Sequence, residues 1–207
     1  MTSSSHNVNS LCIVANGPSV LKEKLGKAID SFTSVARINN YTVKGFEEYT
    51  GTRTDIWFNG SNSKLKKPDP QPGRCIVLIP SAILRKKGDR IHKRIQKRTG
   101  RAGNSYEVVE INEIQEMERS CSSQRVTTGT MAILWAMTRF SKVYIHGFDF
   151  FISNKTHYND TAFTRTLINT GIIKKADKHN TSQEKRVIES FVSEERIRVL
   201  SDMKGNK

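Results

Sequence analysis

The run IVANGPSVL, residues 13–21, ends an apolar stretch in Asn16, Gly17, Pro18 and Ser19. It sets an amide, a flexible residue, a rigid residue and a hydroxyl in consecutive positions. Asn39 and Asn40 end SVARINN, Asn59 stands near the end of DIWFNG, and a late apolar run closes in HGFDFF. Asparagine offers donors and an acceptor on one short, neutral side chain. Several around one crevice suit an uncharged base or a ribose, although each taken singly is equally a turn residue. In VTTGTMAILWAM, Thr127 or Thr128 can cap a helix whose free N–H groups and macrodipole favour a phosphate. Gly129 would let a ligand approach the backbone closely. Taken alone, that run is also an ordinary capped core helix. His179 is the candidate base. Thr181 and Glu184 follow it in capping-box spacing, so a helix should start just after it and hold the imidazole neutral. Asp149 either orients a site group or satisfies a loop backbone. His146 reads as structural and His92 as a solvated surface residue.

Positioning such residues requires a framework of strands and helices, and the apolar pattern supplies one. LCIVA (11–15), SVARINN (34–40), DIWFNG (55–60), RCIVLIP (74–80) and KVYIHGFDFF (142–151) read as strands, with a short last strand in IRVLS. Helices are expected over VLKEKLGKAI (20–29), INEIQEMERS, TTGTMAILWAMTRF (127–140) and SQEKRVIESFVSEE. The segment KGFEEYTGTRT is punctuated by glycine, and KKPDPQPG reads as a polar linker. Alternating strands and helices predict an α/β sandwich: one Rossmann-like domain with a mostly parallel sheet flanked by helices. Such sheets bind ligands at the C-terminal ends of their strands.

The length of 207 residues suits one domain, expected over 11–200, with a disordered N-terminus (1–10) and a C-terminal tail (201–207). No apolar run is long enough to span a bilayer, and the polar start MTSSSHNVNS is not a signal peptide. Cys12, Cys75 and Cys121 have no metal-ligand spacing, and their odd number suggests reduced thiols in a cytosol-like compartment. The net charge of +14 favours an anionic partner. Nine Lys and Arg against one Asp fill RKKGDRIHKRIQKRTGR (85–101). This is either a solvated helix or mobile loop, or a docking surface for an anionic acceptor or membrane face. It contains no aromatic residue on which a base would stack, which argues against nucleic acid.

The stretch from IVANGPSVL to DIWFNG resembles the large sialyl motif of glycosyltransferase family 29. The shared elements are Asn16-Gly17, Gly26 with Ile29 and Asp30, Arg37 with Asn39, and KGFEEYTGTRTD. VTTGTMAILWAMTRFSKVYIHGFDFF resembles the small motif, HYND (157–160) the third, and His179 with Glu184 the very small motif. Bacterial family 42 sialyltransferases are similar too, and match NGPS more closely. The resemblance covers residues 11–191 and implies a sialyltransferase-type variant of the GT-A fold. It also implies CMP-sialic acid as donor, a glycan or glycolipid hydroxyl as acceptor, and no metal or other cofactor. The animal family carries an anchor and a disulfide. Here Phe140 stands where the partner cysteine would be, and a compact bacterial or viral version is expected, cytoplasmic or peripheral at the inner face of a membrane.

On that resemblance, Asn16, Gly17, Pro18, Ser19, Asn39, Asn59, Thr127, Thr128, Gly129, Gly147, Phe148, Tyr158 and Glu184 are expected around the donor. His179 would take the acceptor proton in an inverting transfer, and His157 with Tyr158 would donate to the leaving phosphate. Glu184 is read both as a functional residue and as a helix cap. Transfer of another CMP-activated acid such as Kdo onto a lipopolysaccharide-type acceptor is the near alternative. A basic nucleic-acid-binding protein is the alternative from a different class.

Overall fold

The computed structural model describes residues 9–149 and 181–205. A seven-stranded sheet runs in the order β5-β4-β3-β2-β1-β6-β7, and every neighbouring pair is parallel. The strands are β1 (Ser10–Val14), β2 (Ser34–Ile38), β3 (Ile56–Asn59), β4 (Arg74–Val77), β5 (Glu107–Val108), β6 (Lys142–His146) and β7 (Arg198–Val199). The chain steps outward from β1 to β5 and then returns to the other side of β1. The β1/β6 boundary is therefore the topological switch point, where open parallel sheets leave a crevice.

The strands are near-continuous apolar runs because both sheet faces are covered. Successive side chains serve opposite cores: Leu11 and Ile13 join one, Cys12 and Val14 the other. On the first face lie α5 (Ile111–Ser120), α6 (Thr128–Met137) and α7 (Thr181–Ser193). Helix α6 is apolar around most of its circumference, as a helix sunk between a sheet and its neighbours must be. Trp135 of α6 meets Phe58 of β3 edge to face at 5.2 Å. The opposite face carries α1 (Gly26–Asp30) and α2 (Glu47–Thr50) at one end. At the other, Ile91 and Ile95 of α4 (Arg90–Thr99) pack on Trp57, Cys75, Val77 and Ile79. No helix among the described residues is long and apolar enough to cross a membrane.

Several elements differ from the sequence expectation. The helix expected over 20–29 is two pieces, a 3₁₀ turn at Pro18–Lys22 and α1, separated where Glu23 takes an extended backbone. The glycine-punctuated segment holds α2. The basic stretch, which reads as a solvated helix or a mobile loop, is helical, and Gly88 at φ +48° divides α3 (Ser81–Lys87) from α4. Strand β5 is two residues long, too short to leave a periodic signal. A 3₁₀ turn, Leu200–Gly205, crosses from the expected domain into the expected tail, and its first residue, Leu200, is buried in the second core.

The large-motif residues lock one another. Asp30 accepts from the Thr52 and Arg53 amides at 2.9 and 3.0 Å and from the Thr52 hydroxyl at 2.8 Å. Arg37 is fully buried. Its Nη2 donates to the carbonyls of Thr50, Gly51 and Arg53, and its Nε to the Thr54 hydroxyl. Burial pushes the Asp30 carboxyl up, but the donors of Arg53 and Thr52 outweigh it and hold the group below its ordinary value. Much of this motif therefore builds the turn between β2 and β3 and does not face the crevice.

The three cysteines are free and buried. Burial pushes the Cys12 thiol up to about 12 and Cys121 to about 11, which leaves both protonated and unreactive near neutral pH.

Candidate active site

The polar runs converge at the C-terminal ends of β1, β2, β3 and β6 and at the start of α6. After β1 and β6 the ladder continues for one more rung on each side. The Ala15 amide donates to the His146 carbonyl at 2.8 Å and the Gly17 amide to the Gly147 carbonyl at 2.9 Å. The Asn16–Ser19 turn thus lies against the Gly147–Asp149 turn, and Asp149 accepts the Ser19 amide at 3.0 Å. A Cβ on Gly17 would stand 2.5 Å from Asp149 Cγ. The glycine expected to admit a ligand instead admits Asp149, and Asp149 satisfies a loop backbone.

Asn16 is nearly buried, and its Nδ2 donates to the Ile38 carbonyl at 2.8 Å, tying the end of β1 to the end of β2. Asn39 holds φ +50°, a left-handed conformation that asparagine tolerates better than most residues. Its Oδ1 accepts from the Gly60 amide at 3.1 Å, and its carbonyl from Trp57 Nε1 at 2.8 Å. Asn59 is fully buried. It donates to Cys75 Sγ at 3.3 Å and accepts from the Ser61 amide at 3.1 Å. Of the three asparagines expected around the donor, Asn59 is thus buried behind the crevice, Asn16 is nearly buried between the ends of β1 and β2, and Asn39 sits half-buried at the crevice edge.

The start of α6 has a more definite geometry. Thr127 is its N-cap, and Thr127 Oγ1 accepts from the Thr130 amide at 3.2 Å. The Thr127 hydroxyl donates to Glu184 Oε2 at 2.6 Å, and the Thr127 amide meets both Glu184 oxygens at 3.1 Å. Glu184 is fully buried on α7. Its carboxylate caps α6, a different helix from its own, which corrects the capping-box expectation. The Thr128 and Gly129 amides have no acceptor among the described residues, so two adjacent donors remain at the positive end of α6. A Cβ on Gly129 would stand 3.1 Å from the Phe148 ring, and one on Gly60 would stand 3.0 Å from the Thr128 hydroxyl. Gly129 therefore makes room for Phe148, and the end of β3 borders the start of α6. Half-buried Pro18, Ser19, Asn39, Thr127, Thr128, Gly129 and Phe148 come together here, over buried Gly17 and Gly147.

His146, last residue of β6, is nearly buried beneath the Asn16–Val20 turn. Burial lowers its proton affinity, against the pull of the Val20 backbone and the carboxylates of Glu23 and Asp149. His157, Tyr158 and His179 lie outside the described residues.

The basic stretch divides in two. Arg94 and Arg98 donate to the Ser61 carbonyl, and Arg101 to the carbonyls of Pro72 and Ser105. Arg85, Lys86, Lys87, Arg90, Lys93 and Lys97 are exposed. Sequence position alone does not distinguish among the nine cations. Only the long-range contacts separate those that pin loops from those that face water.

A doubly covered parallel sheet with open helix amides near its switch point defines an α/β protein of the doubly wound type. The profile of glycosyltransferase family 29 (sialyltransferase) matches residues 2–196, and the chain belongs to that family. It is 27% identical to mouse alpha-N-acetylgalactosaminide alpha-2,6-sialyltransferase 3, over 68% of this chain and 53% of that protein. It is 22% identical to human CMP-N-acetylneuraminate-beta-1,4-galactoside alpha-2,3-sialyltransferase, over 92% of this chain and 56% of that one. The chain thus spans about half the length of the curated relatives it matches. A mammalian sialyltransferase structure aligns with 93% of this chain and 69% of its own at a TM-score of 0.67 and 16% identity. The monofunctional alpha-2,3-sialyltransferase Cst-I from Campylobacter jejuni aligns over 97% of this chain and 78% of its own, at 0.56 and 14%. At these identities the likenesses show a shared fold.

Proposed function

We propose that the protein transfers sialic acid from CMP-sialic acid to a glycan hydroxyl, with inversion at the anomeric carbon and without a metal. The open Thr128 and Gly129 amides at the switch point carry this reading. They offer two aligned donors and a helix dipole to the phosphate of a CMP moiety. Ser19 and Asn39 supply polar, uncharged edges for the nucleoside, and Phe148 over Gly129 gives the crevice an apolar wall.

In the transfer, His179 takes the acceptor proton while the acceptor oxygen bonds to the anomeric carbon. The bond from that carbon to the phosphate breaks, and CMP leaves with the electron pair, assisted by hydrogen bonds from His157 and Tyr158. Glu184 fixes the start of α7 against the start of α6, and His179 precedes α7 in the sequence by two residues.

The test is a donor screen. The protein is incubated with CMP-sialic acid or CMP-Kdo, mixed glycan acceptors and a chelator, and released CMP is measured. Acceptor-dependent release from CMP-sialic acid is expected. Release from CMP-Kdo alone moves the reading to the alternative donor. A strict magnesium or manganese requirement overturns the metal-free reaction.

A further inference from the structure

Helices α3 and α4 share an outward face of positive charge. In α4 the buried residues Ile91, Ile95 and Thr99 recur every four positions, and the isoleucines pack on Trp57, Cys75, Val77 and Ile79. Arg90, Lys93 and Lys97, spaced by three and four, lie on the opposite side and are exposed. Arg85, Lys86 and Lys87 end α3 and are exposed too. None of these six has an ion-pair partner among the described residues. Asp89, in the turn between the helices, is the single acid from residue 85 to residue 97. Arg94 and Arg98 stand apart from this face, half-buried and turned to the Ser61 carbonyl.

Helix stability does not account for the arrangement. Cations in a last turn complement the helix dipole, which covers Arg85, Lys86, Lys87 and Lys97. Arg90 is the first residue of α4 and Lys93 closes its first turn, at the end where a cation is unfavourable. Crowded like charges repel, and an anionic partner relieves that repulsion.

The fold also fixes where this face points. Helix α3 starts three residues beyond the end of β4, and its Leu84 packs on both the α6-side core and the Trp57 cluster. It therefore sits over the C-terminal end of β4, the same end of the sheet as the crevice. Strand β4 is three strands from β1, about 14 Å at ordinary strand spacing. Helix α4 continues onto the sheet face opposite α6. The charged face thus flanks the open end of the sheet and leaves the crevice clear.

We propose that the α3–α4 face docks on a bilayer rich in anionic lipid headgroups, held by charge and without insertion. Clusters of four to eight Lys and Arg are the ordinary electrostatic footprint for such a surface. Insertion needs a free apolar stripe, and the Ile91–Ile95 stripe is already committed to the core. Two outer helices present a ridge, which suits a flat partner better than a strand that must be held in a groove. The ridge offers no base a stacking platform: Tyr106, at its flank, turns its hydroxyl to His92 Nδ1 at 2.9 Å and packs on the core below.

Cosedimentation of the full chain with vesicles of phosphatidylcholine, alone or mixed with phosphatidylserine, tests the docking. The native protein should bind the mixed vesicles at least ~10-fold more tightly, and about 0.5 M salt should release it. Replacing Lys86, Arg90, Lys93 and Lys97 by Gln should abolish the preference at an unchanged melting temperature. A control with Lys22, Lys27, Lys44 and Lys142 replaced by Gln loses the same charge from exposed positions elsewhere and should keep most of the binding. Equal binding to both vesicles overturns the proposal. Equal loss in the two variants also overturns it, because net charge alone would then explain the attraction. A duplex oligonucleotide held more tightly than the mixed vesicles, and released by the first variant only, would reassign the face to nucleic acid. Vesicle binding is read without donor or acceptor, so its outcome is independent of the transferase reading.

Discussion

The Thr127 hydroxyl lies 2.6 Å from Glu184 Oε2, joining the N-cap of α6 to the first turns of α7 across 57 positions of sequence. Glu184 is fully buried and Thr127 half-buried, and the Thr127 amide shares the same carboxylate. The contact couples the helix whose first amides stay open to the helix that follows His179 in the sequence.

Replacing Glu184 by Ala removes the acceptor for both Thr127 donors in a part-buried place. The expected loss is about 1–3 kcal/mol, the cost of stranding a buried polar group. Urea denaturation would read it directly. Thr127→Ser, which keeps cap and hydroxyl, should stay within roughly 0.5 kcal/mol of the native protein. A Glu184→Ala variant of native stability would show that the contact adds nothing.

Asn39 serves both the fold and the site. Asn39→Ala loses the bond to Gly60 and puts a Cβ-bearing residue less tolerant of φ +50° at the crevice edge. Stability should fall by roughly 1–2 kcal/mol, and CMP binding should weaken with it. Asn39→Gly accepts the backbone conformation and should recover part of the stability but none of the hydrogen bond. Calorimetric titration with CMP beside thermal melts separates the two effects.

His146 makes stability depend on pH. Burial holds its folded proton affinity below the ordinary value, so the unfolded chain takes up a proton first as pH falls. The stability gained by keeping the ring neutral is complete above about pH 6.5, the ordinary histidine value. It is lost progressively below that, down to the folded value. Urea midpoints at a series of pH values should fall below neutrality, and His146→Gln should flatten that limb. An unchanged pH slope in the variant would assign the effect to other groups.

His179→Ala should lower kcat by about 10²–10⁴-fold, the range for losing a general base. CMP binding should survive, because it is assigned to Ser19, Asn39 and the α6 amides. The native pH–rate profile should rise near the imidazole range and the variant should lack that rise. Near-native turnover would move the base to His157.

Local chemistry made most of the framework readable. Apolar runs closed by Asn, Gly or Pro announced the strands of the central sheet, and the unbroken apolar run after Thr128 announced a buried helix. Where the signal was short or polar it failed. Strand β5 has two residues and α2 has four, and in the charge run, whose apolar stripe is only Ile91 and Ile95, a helix and a mobile loop stay equally open.

What the sequence by itself determined was the set of chemical groups brought to the strand ends, because strand alternation and turn residues are local properties. What only the tertiary structure decided was the use of each group. Glu184 caps α6 instead of its own helix, Asp149 fills the space beside Gly17, Asn59 turns inward to Ser61 and Cys75, and Arg94 and Arg98 meet at Ser61. Each of these partners except the Asn59–Ser61 turn is distant in the chain, so no local period encodes it. The parallel order of β1, β2, β3 and β6 brings them within hydrogen-bond range, and burial then selects the pairings that leave the fewest polar groups unsatisfied.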